Sequence, residues 1–187
     1  AQAYCAEIEG HFLSPFDDED VIEGQSSVGV EIEKQMDQMP DRIIMPVGGG
    51  GLSSGVCSYL GDRTAFTLVE PEGGACLAAA LEAGRPTRLA HIDNFADGAA
   101  VAQIGAKTFA RLSHIAPSNL LGIDEDRLCT TMLEMLNVEG IVLEPAGALA
   151  IDALKDLAQE IRGKTVVCVT SGGNFDFERL PEVKERA

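Results

Sequence analysis

A chain of 187 residues, 45% of them hydrophobic, is long enough to bury the core of one large domain, and a mean hydropathy near zero marks it as globular. Thirty acidic residues against fourteen basic ones give a formal charge of −16, which repels phosphate backbones and anionic lipid and so excludes nucleic acid and an acidic membrane surface as partners. No run approaches the about 18 apolar residues of a membrane span, residues 1–7 lack the basic and apolar regions of a signal peptide, and the expected compartment is the cytoplasm.

In chain order, residues 1–9 read as the end of a helix stopped by Gly10; with no cap or loop before it, the chain is expected to begin inside an element. His11-Phe12-Leu13 reads as a short strand. Asp17, Asp18, Glu19 and Asp20 stand ahead of a helix, where acidic side chains complement the dipole rather than gather a metal. Val28, Ile32, Met36 and Met39 mark the apolar face of a helix over residues 24–39, ended by Pro40. Arg42 to Val47 has the look of a buried parallel strand and runs into Gly48-Gly49-Gly50-Gly51, after which Leu52, Val56, Tyr59 and Leu60 recur at helical spacing. Ala65 to Glu70 is a second strand closed by Pro71, followed by a helix from about Gly73 to Ala83 and Gly84. A weak strand over 89–92, a turn over 93–98 and a helix over 99–112 come next. Asp124 caps a helix running to Leu136, Ile141-Val142-Leu143 reads as a strand, and Pro145 opens a helix carrying Leu149, Leu154, Leu157 and Ile161. The last strand, Thr165 to Thr170, leads into Ser171-Gly172-Gly173-Asn174. Strands and helices alternating at this spacing predict an α/β fold, an open, mostly parallel sheet flanked by helices with right-handed crossovers. The five cysteines form no CxxC pair and serve as small hydrophobes, with no metal and no disulfide expected.

The four glycines carry the chemistry. A helix that begins there presents backbone N–H groups without intrahelical partners, together with the positive end of its dipole, and glycine lets an anion approach the backbone closely. A Walker A loop would need Lys and Ser/Thr after its last glycine, but Gly50 and Gly55 are followed by Val56 and Cys57. The third glycine of a dinucleotide fingerprint falls on Ser53 or Ser54. A flexible linker is the bland alternative, but linkers seldom join a buried strand directly to an apolar-faced helix. The spacing points to a cofactor phosphate held by backbone amides alone. Ser171 to Asn174 is a second turn at the carboxyl end of a strand, the place where open α/β sheets bind ligands, so neighbouring strands would make a site with two anchors.

Five segments, Pro15-Phe16-Asp17-Asp18 to Gly24-Gln25, Val47 to Leu52, Phe95-Ala96-Asp97-Gly98, Glu144-Pro145-Ala146-Gly147-Ala148 and Ser171 to Asn174, resemble in order those of the threonine dehydratase family of fold-type II pyridoxal-phosphate enzymes. The resemblance implies the large domain of that fold, similar to tryptophan synthase β, with pyridoxal 5'-phosphate as cofactor. It places Gly48, Gly49, Gly50, Gly51 and the amide of Leu52 on the cofactor phosphate, and Ser171 on the pyridine nitrogen. A neutral hydroxyl there gives a milder electron sink than a carboxylate would, suited to β-elimination. The Asp97-Gly98 turn and Glu144 would line the pocket, and Asn174 would support the Ser171 turn or cap the next segment.

The departures are equally informative. The family's Schiff-base lysine lies in a Ser-x-Lys-x-Arg type segment, and none of Lys34, Lys107, Lys155, Lys164 and Lys184 matches it, so no catalytic residue is assigned in this chain. Residues 1–20 would be the end of the smaller family domain and 21–187 the C-terminal majority of the cofactor-binding domain. The Asn174 to Pro181 tail resembles the junction with a regulatory domain that is absent here. Gly24-Gln25-Ser26-Ser27 replaces the more usual Gly-Gln-Gly-Thr loop. A cation site of some relatives corresponds to Glu70, Gly74 and Cys76, where a thiol replaces a hard oxygen, so no metal is expected. The resemblance implies part of an L-threonine ammonia-lyase of isoleucine biosynthesis, giving 2-oxobutanoate and ammonia, inactive alone, with an amino-acid substrate and a homo-oligomeric parent. The alternatives are a serine dehydratase or racemase of the same fold, and a non-catalytic module binding anions or a partner.

Overall fold

The computed structural model describes residues 1–187, the side chain of residue 2 excepted. Helix α1 (Gln2–Glu7) is followed by an irregular stretch and then by α2 (Glu19–Gln25) and α3 (Ser27–Gln35), joined through a helical Ser26. Strand β1 (Arg42–Pro46) leads through the glycines into α4 (Gly51–Leu60). Strand β2 (Ala65–Pro71) leads into α5 (Cys76–Ala83), which Gly84 ends at φ 66. Then come α6 (Ala106–Leu112), β3 (Leu120–Ile123), α7 (Glu125–Glu134), α8 (Pro145–Asp152), α9 (Leu154–Leu157), β4 (Val166–Cys168) and α10 (Leu180–Arg186).

The four strands form one parallel sheet in the order β3-β2-β1-β4. Its middle strand β1 is buried at every position, which is why its sequence reads as an unbroken apolar run. Side chains still alternate. Ile43, Met45 and Leu68 enter one core with Val56, Leu60 and Leu77, while Ile44 and Val69 enter the other with Leu128, Leu149 and Leu157. Helices α3 to α6 cover the first face and α7 to α10 the second, giving the α/β layering expected from the alternation of elements. The buried Asp152 ties the second layer together, accepting from Arg127 of α7 and Thr131 and lying 3.3 Å from Lys155, so its charge is paired.

Several local expectations are corrected. Residues 11–13, 89–92 and 141–143 join no ladder, because no neighbouring strand offers them partners; Leu89 gains a single bond, from its N–H to the Ala102 carbonyl. The helix expected over 24–39 starts at Glu19 and ends at Gln35, with Asp18 as its N-cap, its side chain accepting from the Asp20 N–H. The Gly24 to Ser27 segment is therefore helical rather than a loop. The helix expected over 99–112 covers only 106–112, with Gly105 as its N-cap. Strand β3, unmarked in the sequence reading, occupies the sheet edge.

The carboxylate of Asp17 caps α6 from a distance of some ninety positions in the chain, accepting from the N–H groups of Ala106 (3.0 Å), Lys107 (2.8 Å) and Thr108 (3.2 Å). Asp17→Ala strips α6 of three partners and is expected to lower stability by about 1–2 kcal/mol, the range of a lost cap; the midpoint of urea unfolding checks it.

Candidate functional site

The topology places the two glycine turns side by side. β1 and β4 are hydrogen-bonded neighbours, so the loop after Pro46 and the turn after Cys168 open on the same edge of the sheet. Between them lies a cavity of about 340 Å³, walled by Gly48, Gly49, Gly50, Gly51 and Leu52 on one side and by Gly98, Glu144 and Ser171 on the other. All six residues that the resemblance places on the cofactor line this one cavity.

The loop is held with its carbonyls turned outward. Ser53 Oγ donates to the Pro46 carbonyl (2.9 Å), the Cys76 thiol to that of Gly48 (3.3 Å), Thr108 Oγ1 to that of Gly49 (2.7 Å) and the Ser54 N–H to that of Gly50 (2.8 Å). Among the described residues, the N–H groups of Gly49 to Leu52 have no backbone acceptor. Those of Gly51 and Leu52 are the first amides of α4, whose N-cap Gly50 takes φ 89, a left-handed conformation that a β-carbon would strain. The loop also has no room for side chains: a β-carbon at Gly48 would stand 2.8 Å from the Ala99 carbonyl oxygen, and one at Gly49 would overlap the Phe16 ring. Free amides, an aligned helix dipole and a floor without side chains together form a cradle for an anionic group.

Sequence reasoning missed Phe16, Cys76 and Thr108 as builders of this loop. Phe16 comes from the segment before α2 and Thr108 reaches Gly49 from α6, so no local spacing marks either one. Asp97 does not line the cavity; only Gly98 of that turn does, and Asp97 faces a neighbouring depression with Asp176 and Arg179. Asn174 supports the Ser171 turn through its backbone N–H, which donates to Glu144 Oε2 (3.1 Å), and the next segment is capped by Asp176 instead. None of the five lysines lines the cavity, and Glu144 is its only ionisable side chain among the described residues.

Glu70, beside the loop at the end of β2, is fully buried. Its Oε1 accepts from the Leu77 N–H (2.6 Å) and its Oε2 from the Ala78 N–H (2.9 Å), in the first turn of α5. Burial pushes its carboxyl up from 4.5 to about 7, with these N–H groups pulling the other way. The folded protein thus holds this proton to higher pH than the unfolded chain. The contribution to stability is fully present below pH 4.5 and is lost as the pH rises through about 7. Glu70→Gln is expected to flatten the fall in melting temperature across that window; an unchanged slope would contradict this. Burial likewise pushes the thiols of Cys57 and Cys76 up to about 12, which leaves them protonated hydrophobes rather than nucleophiles. Among the described residues, no group of three or more His, Cys, Asp or Glu side chains is placed to hold a metal.

A sequence profile of the pyridoxal-phosphate dependent enzyme family matches residues 1–172. The curated biosynthetic L-threonine dehydratase of Lactococcus lactis subsp. lactis (strain IL1403) is 43% identical over 193 residues, covering 100% of this chain and 46% of that protein. The dehydratase of the same name from Bacillus subtilis (strain 168) is 45% identical over 189 residues, covering 99% of this chain and 44% of that protein. The solved structure of the processed form of threonine deaminase isoform 2 from Solanum lycopersicum superposes with a TM-score of 0.92 at 31% identity, over 100% of this chain and 55% of that one. The chain spans about half the length of the curated relatives it matches. With its parallel sheet, its glycine cradle and a family profile running over most of its length, the chain belongs to the pyridoxal-phosphate dependent enzyme family.

Proposed function

We propose that this chain supplies the cofactor cradle of an L-threonine dehydratase, the enzyme that converts L-threonine to 2-oxobutanoate and ammonia. The observation that carries the reading is the meeting of free loop amides and the Ser171 turn at one cavity, in a chain whose relatives are named for that activity. Pyridoxal 5'-phosphate fits what is present: a dianionic phosphate needs inward N–H groups and a floor without β-carbons, and the loop offers both.

Gly48 to Gly51 and the Leu52 amide would hold the phosphate, aided by the dipole of α4, and Ser171 would hydrogen-bond the pyridine nitrogen. When bound, the cofactor supplies the electron sink that lets an amino acid lose its α-proton and then its β-hydroxyl. The Ser171 hydroxyl would donate to an unprotonated ring nitrogen, a milder sink than a carboxylate partner would give and one suited to elimination. Phe16, Val101 and Ala146 add apolar wall to the cavity. The residues that wall the cavity include no lysine, so the base for the α-proton comes from outside this wall.

In this reading residues 1–20 close the smaller domain of the enzyme and 21–187 form the C-terminal majority of the cofactor-binding domain. The parent is proposed to be a homo-oligomer acting in the cytoplasm; no helix among the described residues is long and apolar enough to cross a membrane. The test is the product of the complete gene, supplied with pyridoxal 5'-phosphate. Its kcat/KM for 2-oxobutanoate from L-threonine is expected to exceed that for pyruvate from L-serine by about tenfold, the discrimination one methyl group supplies. A reversed preference, or no keto acid from either substrate, would overturn the proposal.

A further inference from the structure

Glu144 stands in extended conformation just before Pro145 opens α8, and it braces the Ser171 turn twice. Its own N–H donates to the Gly172 carbonyl (3.2 Å), and its Oε2 accepts the N–H of Asn174 (3.1 Å). Its Oε1 passes between two bare backbones: a β-carbon at Gly98 would stand 3.0 Å from it, and one at Gly172 would overlap it. One carboxylate therefore fills the gap between the Gly98 turn and the Ser171 to Asn174 turn, on the wall of the cavity. An ionised carboxylate only accepts, which suits a neighbour that presents a backbone N–H. Gly172 is the residue after Ser171, so the brace fixes the backbone that carries the Ser171 hydroxyl.

Resting on the reading of the cavity as a cofactor cradle, we propose that Glu144 is a positioning residue, holding the Ser171 turn so that the serine hydroxyl meets the ring of the cofactor while the glycine loop independently holds its phosphate. Glu144 acts through Ser171 and has no part in the phosphate grip.

Two probes separate these roles. Pyridoxamine 5'-phosphate carries both ring and phosphate and cannot bond to a lysine; inorganic phosphate reads the glycine loop alone. Each is titrated into the wild-type chain and into variants. Glu144→Asp keeps the charge and makes a good N-cap for α8 but is one methylene too short to reach the Asn174 N–H, and Glu144→Ala removes the carboxylate and leaves only the backbone bond to Gly172. Both are expected to weaken pyridoxamine 5'-phosphate by about tenfold, the worth of one hydrogen bond to a charged group, and to leave inorganic phosphate within about twofold. Glu144→Gln, which retains an acceptor oxygen at full length, is expected to restore wild-type binding. In a Ser171→Ala background, Glu144→Asp is expected to have an effect of less than about twofold, since coupled residues lose their separate contributions.

Equal weakening of both probes by Glu144→Asp, an effect that persists undiminished without the Ser171 hydroxyl, or a Glu144→Gln variant as weak as Glu144→Ala would each overturn the positioning role while leaving the cradle standing. A wild-type chain that binds neither probe saturably would overturn the cradle itself, and the role of Glu144 with it.

Discussion

Gly49→Asp is expected to weaken binding of pyridoxamine 5'-phosphate to this chain by more than a hundredfold while leaving the chain folded. The new β-carbon overlaps the Phe16 ring, which walls the same cavity, so the loop and that wall have to shift apart. The new carboxylate then lies among the N–H groups of Gly50 to Leu52, which have no backbone acceptor of their own. It competes for them and repels the phosphate. Losing two charge-assisted hydrogen bonds at about 1.5–3 kcal/mol each is worth more than about a hundredfold in affinity. An acidic side chain at the start of α4 complements the helix dipole, which offsets part of the packing strain and separates loss of binding from loss of fold. Fluorescence titration together with circular dichroism checks both halves. A folded variant binding within about tenfold of wild type would mean that the phosphate sits elsewhere.

Gly147→Ala is expected to destabilise the protein by about 2–3 kcal/mol, the upper part of the overpacking range. Helix propensity alone predicts the opposite sign, since alanine in place of a helical glycine gains about 1 kcal/mol. Packing wins here because the added methyl overlaps the Gly172 carbonyl oxygen, with the carbon and nitrogen of Gly172 each 2.9 Å away, and none of these backbone atoms can rotate aside. Gly147 is buried in α8, directly beneath the Ser171 turn. The midpoint of urea unfolding measures the stability, and a rise in that midpoint would show that the turn is free to retreat. The same displacement is expected to weaken pyridoxamine 5'-phosphate and spare inorganic phosphate, since the glycine loop stands on a different strand.

Elements whose cause is local were readable in advance. Asp124 caps α7 through the Arg127 N–H, Pro145 opens α8, and β1 and β2 are rich in apolar residues because both their faces are covered. What depends on a distant partner was not readable. Ile141-Val142-Leu143 has strand propensity, but Ile141 donates to the Met135 carbonyl and Glu144 to Gly172, so the segment meets a helix end and a turn rather than a strand. Leu120 to Ile123 is a weaker strand by composition, half exposed and interrupted by Gly122, yet it pairs because β2 leaves that edge open. The site divides in the same way. Its glycines and Ser171 stand in short motifs at the ends of strands and can be read from spacing. The groups that turn the loop carbonyls outward, Cys76 and Thr108, lie 28 and 59 positions away along the chain and come into place only through packing.

One titration tests the cradle most directly: the purified chain with pyridoxal 5'-phosphate, followed by borohydride reduction, intact mass and peptide mapping. The predicted result is saturable one-to-one binding that inorganic phosphate competes for, with no stoichiometric adduct on Lys34, Lys107, Lys155, Lys164 or Lys184, since none of these lines the cavity. A stoichiometric adduct on one of the five, or no saturable binding, would contradict a cradle that grips the cofactor by its phosphate and ring without a lysine of its own.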